Sequence, residues 1–207
     1  MNPETAAGLR DLYRDTLLND ILPFWFPRCV DHEHGGFFTA LDRDGSLLET
    51  DKSVWFQGRI SWMLLTLYNT VERRPEWLEW AESGLKFLER HGADTDGRLF
   101  FLVDRTGRPL RQRRYAYSES FAAIAWAAHA RAAGSARSAE RARDLFERYV
   151  RWNFTPGLMP SKFTEVRPAI GLAPRMITIV TAQELIANLG EDAGLRGWID
   201  RCIGEIG

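Results

Sequence analysis

The sequence predicts an all-α fold in which charged outer helices alternate with apolar inner helices, an α/α toroid. Three observations predict it. Seven segments show the apolar periodicity of helices, the connections between them alternate between long and short, and the more apolar segments follow the long connections. Short connections favour antiparallel neighbours, so all the long connections should lie at one end. We therefore expect functional residues in the first turns of the inner helices.

Each helix is delimited by local signals. Pro3 suits a first helical turn, Asp51 or Thr50 can cap the second helix, and Gly92 is placed to end the third. The alanine-rich fourth helix can approach its neighbours closely, as an inner helix must. The predicted bounds are Pro3–Leu22, Asp51–Val71, Glu76–His91, Tyr117–Ala133, Ser138–Trp152, Arg175–Leu189 and Glu191–Ile206.

The first two long connections each contain a β-hairpin pattern. FFTAL and SLLET flank DRDG, which places Asp44 and Gly45 at a turn, and RLFFLVD and LRQRR flank RTGRP. The third long connection, NFTPGLMPSKFTEVRPAIGLAP, is rich in proline and glycine and is predicted to be a loop. Short hairpins should therefore precede the first two inner helices.

Composition narrows the class of protein. The 207 residues are 45% hydrophobic with a net charge of −1, which predicts one domain over residues 1–207 and gives no reason to expect a nucleic-acid or anionic-membrane partner. No stretch approaches the roughly 20 apolar residues of a membrane span. Cys29 and Cys202 form no close pair, and the N-terminus lacks the apolar core of a signal peptide. We expect a cytoplasmic protein.

The segment DKSVWFQGR, at the start of the first inner helix, is the densest polar cluster. Trp55 and Arg59 are four residues apart and share a helical face, with Gln57 between them in sequence. A tryptophan ring beside a fixed guanidinium can hold a sugar ring and bond its oxygens. The alternative is a core tryptophan and an arginine paired with a carboxylate. We interpret all three residues as candidates for ligand contact.

Two further clusters begin the other inner helices. In RYAYSESFAAIA, Tyr117 is a candidate for ligand contact, and Glu119 either contacts the ligand or interacts with the helix dipole. In RPAIGLAPRMITIV, Arg175 either faces the same end of the molecule or anchors a loop. His32 and His34 lack a third well-spaced metal ligand, and no phosphate-binding glycine motif is present. We expect neither a metal nor a cofactor.

The stretch HGGFFTALDRDGSLLETDKSVWFQGRISWM resembles the N-acylglucosamine 2-epimerase family, whose mammalian members are also called renin-binding proteins. The resemblance continues through DRTGRPL, YSESFAAIA and QELIANLGED. It implies an (α/α)6 barrel of twelve helices and interconversion of sugars epimeric at carbon 2, or aldose–ketose isomerisation. The implied chemistry removes and returns a proton next to the carbonyl of a ring-opened N-acylhexosamine, mannose or glucose, or cellobiose-type sugar.

The resemblance also implies roles for individual residues. Arg59 matches the family's active-site arginine, which would stabilise the developing oxyanion, and Trp55 and Tyr117 match positions that line the sugar pocket. The family's acid–base histidines and a supporting glutamate lie in the second half of a chain about twice as long. None of the four histidines here matches them. We therefore expect an N-terminal portion with about seven of twelve helices, inactive alone.

Two alternatives stay open from the sequence. An α/α-barrel glycoside hydrolase would use two carboxylates, for which Asp51 and Glu119 are the candidates. A non-catalytic interaction protein, including a homodimer, would use the apolar inner surface that an incomplete toroid exposes.

Overall fold

A computed structural model of the chain describes residues 2–112, 115–160, 163–167 and 169–207. A π-helical turn, Leu17–Ile21, joins the first two helices. The helices are α1 (Pro3–Thr16), α2 (Leu22–Trp25), α3 (Val54–Thr70), α4 (Pro75–His91), α5 (Tyr117–Ala133), α6 (Ala136–Phe154), α7 (Leu172–Leu189) and α8 (Ala193–Ile206). The strands are β1 (Lys52–Ser53), β2 (Leu102–Val103) and β3 (Pro109–Arg111).

The helices form an inner and an outer layer, which confirms the predicted alternation. The inner helix α5 packs against α3 on one side and α7 on the other, while α4, α6 and α8 each pack on the inner helix that precedes them. Helix α5 buries residues around most of its circumference, whereas α6 buries mainly the side that carries Ala142, Leu145 and Tyr149. Within the described residues, no helix is both long and apolar enough to cross a bilayer.

A small antiparallel sheet holds the beginnings of two inner helices side by side. Its order is β1-β2-β3, with Lys52 opposite Val103 in the first pair and Leu102 opposite Arg111 in the second. Strand β1 leads directly into α3, and β3 lies a few residues before α5. The sheet therefore places the first turns of α3 and α5 at a common end of the molecule, as the long connections predicted.

Both predicted hairpin turns form. The Asp42 amide donates to the Ser46 carbonyl (2.8 Å), and the Asp104 amide donates to the Arg108 carbonyl (2.9 Å). Gly107, in the second turn, has a φ of +94°, which a residue with a Cβ rarely adopts. The second hairpin contains strands β2 and β3, whereas the first is formed around an isolated bridge between Leu41 and Leu47.

Several helix ends differ from the sequence prediction. Helix α3 begins at Val54 rather than Asp51, because Lys52 and Ser53 pair with β2 as strand β1. Helix α8 begins two residues later than predicted, because the Asp192 carboxylate caps it by accepting from the Gly194 amide (2.9 Å). Helix α7 begins earlier, at Leu172, so its first turn includes the predicted start.

Helices α3 and α5 touch backbone to backbone. A Cβ placed on Gly58 would lie 2.8 Å from the carbonyl carbon of Phe121 and 2.9 Å from the amide nitrogen of Ala122. Those atoms belong to the α5 backbone and cannot rotate away. Gly58, in the segment DKSVWFQGR, therefore sets the distance between the two helices that begin at the sheet.

Candidate functional site

A small cavity lies between the first turns of α3 and α5. Its volume is 160 Å³, and we call it the aromatic pocket. Its wall consists of Trp55, Leu99, Phe101, Tyr115, Tyr117 and Ser118. The structure thus brings together two of the residues that the sequence singled out, one from each inner helix, and adds residues from the hairpin that connects α4 to α5.

The aromatic rings in this pocket are held by other rings. The Trp55 indole packs on Phe121 of α5, with ring centroids 5.2 Å apart and an interplanar angle of 30°. Its Nε1 is buried and has no hydrogen-bond partner in the described part of the chain. Tyr117 stacks on Tyr115 at 5.5 Å and 12°. Burial, assisted by Tyr115, raises the pKa of Tyr117, so its phenol remains neutral near pH 7.

Arg59 lies one turn further along α3 than Trp55 and is exposed. Its guanidinium carbon lies 5.7 Å from the Phe121 ring centroid, and none of the described carboxylates lies within ion-pair distance of it. Trp62, three residues later, donates from Nε1 to Glu184 of α7 (2.9 Å). Because Arg59 and Trp62 share a helical face, Arg59 lies on the side of α3 that faces α7.

A larger cavity lies beside the aromatic pocket, between the end of α6 and the start of α7. Its volume is 710 Å³, within the range of roughly 300–1,000 Å³ that is usual for ligand sites, and we call it the loop cavity. It shares Tyr115 and Tyr117 with the aromatic pocket. Among the described residues of its wall, the other aromatic and cationic side chains are Trp152, Phe154, Phe163, Arg175 and Arg201.

Arg175 both anchors the chain and lines the loop cavity. Its Nη1 donates to the Gly171 carbonyl (3.1 Å), and its Nη2 forms an ion pair with Glu205 of α8 (2.7 Å). Arg201 shares the same carboxylate (2.8 Å), and both guanidinium groups face the Phe154 ring. The two interpretations of Arg175 from the sequence are therefore compatible, because the side chain reaches the cavity while it holds the start of α7.

Gln57 and Glu119 lie behind the site and have no exposed surface. The Gln57 side chain accepts from the Phe37 amide (2.7 Å) and donates to the Phe37 carbonyl (2.8 Å). Glu119 accepts from the Leu99 amide (2.7 Å). Their polar atoms are directed at backbone groups inside the core, and neither side chain lines the aromatic pocket. The ligand contact expected of them from the sequence stays a prediction.

The environment of Glu119 is unusual for a carboxyl group. Burial raises its pKa to about 7, although the hydrogen bond from the Leu99 amide opposes that change. One carboxyl oxygen, Oε2, is buried without a hydrogen-bond partner among the described residues. Asp51, the second carboxylate that the hydrolase alternative requires, is partly exposed, immediately precedes strand β1 and lines neither cavity.

Sequence reasoning missed several residues that line the two cavities, among them Tyr115, Trp152 and Arg201. Tyr115 could have been found, because it stands two positions before the start of an inner helix, where the sequence argument already placed functional residues. Trp152 and Arg201 come from the ends of α6 and α8 and carry no local signal for a cavity. Their role depends on how distant helix ends meet.

The described lining of both cavities contains no histidine. His129 lies elsewhere, between α4 and α6, with Nδ1 2.9 Å from the Ser138 hydroxyl and Nε2 3.4 Å from the Glu82 carboxylate. His91 packs on the Phe87 ring. The described residues also contain no group of three His, Cys, Asp or Glu side chains that could hold a metal ion. The described site thus offers aromatic faces, phenols and cations.

The family model and the curated relatives agree on one protein family for this chain. The family model for N-acylglucosamine 2-epimerase (GlcNAc 2-epimerase) matches residues 36–187. N-acylglucosamine 2-epimerase from Bos taurus is 38% identical over 139 residues, which cover 65% of this chain and 33% of that protein. Cellobiose 2-epimerase from Ruminococcus albus is 30% identical over 136 residues, covering 65% of this chain and 34% of that protein. The matched region is therefore about a third of the length of these curated relatives.

Solved structures show the same fold. Cellobiose 2-epimerase from Bacillus thermoamylovorans superposes with a TM-score of 0.82 at 21% identity, covering 96% of this chain and 55% of that one. A D-mannose isomerase superposes with a TM-score of 0.73 at 17% identity, covering 93% and 49%. An α-1,6-mannanase from Salegentibacter gives 0.64 at 17% identity, covering 94% and 58%. The architecture is that of an (α/α)6 barrel, of which this chain forms a part.

Proposed function

The chain belongs to the N-acylglucosamine 2-epimerase family, and we propose that it forms one wall of the sugar site of a carbohydrate 2-epimerase. One observation carries the proposal. Trp55 and Tyr117, from separate inner helices, line one pocket, and Arg59 lies one turn away on the inward-looking side of α3. Aromatic faces and a cation are the groups that bind a sugar ring and a developing negative charge.

The proposed reaction inverts carbon 2 of a ring-opened sugar. A base removes the proton on the carbon next to the carbonyl, negative charge accumulates on the carbonyl oxygen, and the proton returns to the opposite face. Arg59 would stabilise that oxyanion, because a guanidinium is a cation with several hydrogen-bond donors and none of the described carboxylates lies within ion-pair distance of it. Trp55 and Tyr117 would orient the sugar, and the neutral Tyr117 hydroxyl can donate to a sugar oxygen.

The acid–base groups are proposed to lie outside this chain's two cavities. Proton transfer at carbon requires side chains with pKa values near neutrality, usually histidines, and the described lining residues include none. The curated relatives are about three times as long as the matched region. We propose that the proton-transfer residues belong to the part of the fold that the relatives have in addition, and that residues 1–207 alone bind sugar without turning it over.

The sugar itself is proposed only as a class: an N-acylhexosamine, mannose or glucose, or a cellobiose-type disaccharide. Aldose–ketose isomerisation requires the same first step and differs only in where the proton returns. A hydrolase is not favoured, because Glu119 is fully buried and Asp51 lines neither cavity. We also propose a reducing, cytoplasmic location, supported by the two buried free thiols, Cys29 and Cys202.

Sugar binding by the 207-residue chain tests the proposal directly. Ligand-detected NMR and tryptophan fluorescence should show binding of at least one of N-acetylglucosamine, N-acetylmannosamine, mannose or cellobiose. Trp55→Leu and Arg59→Gln should weaken it by at least tenfold, since each removes a direct contact. Matched controls are Trp126→Leu and Arg131→Gln on α5, which line neither cavity. Folded wild-type chain that binds none of these sugars would refute the site.

A coupled epimerisation assay on the same chain tests the second half of the proposal. We expect no turnover above background for any of the four sugars, because the described lining of both cavities contains no histidine and Glu119 is fully buried. Clear turnover that Arg59→Gln abolishes would contradict the assignment of the acid–base groups to a part of the fold beyond this chain.

A further inference from the structure

In two inner helices, the same kind of hydrogen bond joins a side chain of the helix to the backbone of the hairpin that precedes it. The Phe37 amide donates to Gln57 of α3 and the Leu99 amide donates to Glu119 of α5, both at 2.7 Å and both across 20 residues. Each acceptor stands two residues after a ring of the aromatic pocket, Trp55 in α3 and Tyr117 in α5. The two contacts are therefore equivalent positions in a structural repeat.

The two acceptor side chains, Gln57 and Glu119, differ in one atom. Gln57 closes a second hydrogen bond, in which its amide nitrogen donates to the Phe37 carbonyl (2.8 Å). Glu119 carries an oxygen where Gln57 carries that nitrogen. This oxygen, Oε2, is buried and has no hydrogen-bond partner in the described part of the chain. An ionised carboxylate here would be a buried charge with one oxygen unsatisfied, whereas a protonated carboxyl has a hydroxyl that can donate as the amide does.

We propose that Glu119 is a positioning residue that holds the Leu99 wall of the aromatic pocket as a neutral carboxylic acid, with its hydroxyl donating to the Leu99 carbonyl. It thereby copies the two-point contact between Gln57 and Phe37. The inference deepens the proposed function, since it names what fixes the pocket wall beside Tyr117. Its test needs no sugar, so it can fail or succeed independently of that function.

The charged and titratable groups around Glu119 come from two elements. In the hairpin, Arg98 favours the ionised form and Asp96 disfavours it. From α6, the buried Tyr149 interacts with Glu119 and is itself harder to ionise because of it. Burial is the largest effect, and it outweighs both Arg98 and the bond from the Leu99 amide. The surroundings therefore favour the neutral acid that the hydrogen-bond geometry requires.

A neutral Glu119 in the folded chain makes the stability of the chain decrease as the pH rises. The pKa of Glu119 is raised in the folded chain from its ordinary value of 4.5 to about 7. Between those values the folded chain keeps a proton that the unfolded chain has lost. Stability associated with this group is therefore complete below about pH 4.5, falls as the pH rises, and reaches its lower limit above about pH 7.

Exchanging glutamate and glutamine at positions 119 and 57 tests the hydrogen bonds in both helices. Glu119→Gln supplies a permanent donor, so it should melt at a higher temperature than the wild type at about pH 8 and lose the downward trend between about pH 5 and 8. Gln57→Glu should acquire that trend. Glu119→Leu, which removes both bonds, should destabilise the chain at every pH. Rescue by glutamine and failure of leucine separates hydrogen bonding from simple filling of space.

A spectroscopic signature completes the test. Carboxyl ¹³C NMR of the glutamates, assigned by comparison with Glu119→Gln, should show one group that titrates near pH 7 and is protonated at about pH 6. Titration of Glu119 in the usual glutamate range would overturn the proposal, as would a pH trend in melting that persists unchanged in Glu119→Gln.

Discussion

The ammonium of Lys52 lies 2.8 Å from the carboxylate of Asp31, and both side chains are excluded from solvent. Lys52 also donates to the carbonyls of Gly35 (2.7 Å) and Arg105 (2.9 Å), and Arg105 donates back to Asp31 (3.0 Å). This ion-pair cluster joins the loop before the first hairpin, the turn of the second hairpin and strand β1. It therefore fixes the start of α3, which carries Trp55 on its first turn.

Asp31→Asn should destabilise the chain by about 3–5 kcal/mol, because it leaves the buried Lys52 ammonium without a counter-charge. Chemical denaturation at neutral pH measures the change. Arg105→Gln is the control, since the Arg105 side chain is 37% exposed and should cost less. An equal loss in the two variants would show that Lys52 does not depend on Asp31.

The stability of the chain should decrease in acid because of the same carboxylate. Burial alone raises the pKa of Asp31, but hydrogen bonds from Arg105, Lys52 and the His34 amide outweigh it and hold that pKa well below its usual range. The stabilisation is present above the unfolded pKa of about 3.9 and is lost as the pH falls below it. Urea midpoints between about pH 5 and pH 2 should fall more for the wild type than for Asp31→Asn.

Gly58→Ala should destabilise the chain by about 1–3 kcal/mol, because the added methyl group meets the α5 backbone at 2.8 Å. Thermal and denaturant unfolding measure the loss. Gly8→Ala in α1 is a matched control, since a Cβ there has no neighbour within 4 Å, and it should be neutral or stabilising by up to about 1 kcal/mol. Similar behaviour of both variants would mean that α3 and α5 can separate without cost.

Tyr117→Phe should weaken sugar binding about two- to twelvefold, the effect of removing one hydrogen bond of about 0.5–1.5 kcal/mol. The ring and its stacking on Tyr115, 5.5 Å away, are retained, so the folded structure should not change. Titration with the sugar bound by the wild type measures the affinity. Tyr117→Ala should cost more because the ring is also lost. Unchanged affinity of Tyr117→Phe would show that the hydroxyl makes no contact with sugar.

The helices could be predicted closely from the sequence because their signals are local. Helix α5 has its predicted bounds, Tyr117–Ala133, and α4 begins one residue earlier than predicted. Gly134 adopts a left-handed φ of +62° after α5, as a glycine at a helix end often does. The start of α3 was misplaced because the pairing of Lys52 with Val103 joins residues that are distant in sequence.

Part of the candidate site could also be predicted. Trp55 and Tyr117 meet in one pocket because each stands in the first turn of an inner helix, and the order of loop lengths places those turns together. The roles of Gln57 and Glu119 could not be predicted, because a polar side chain in a first turn has the same sequence pattern whether it points into a cavity or at a hairpin backbone.

The sequence by itself determined the helices, their alternation between inner and outer layers, and the family, because apolar periodicity, turn residues and motif spacing are all local properties of the chain. Only the tertiary structure decided which polar groups face a cavity and which are enclosed with backbone partners. Lys52 and Glu119 have no exposed surface, and burial is the largest cause of the altered pKa of each. Their partners Asp31 and Leu99 lie 20 or more residues away in the sequence. Such contacts exist only after distant segments have packed together.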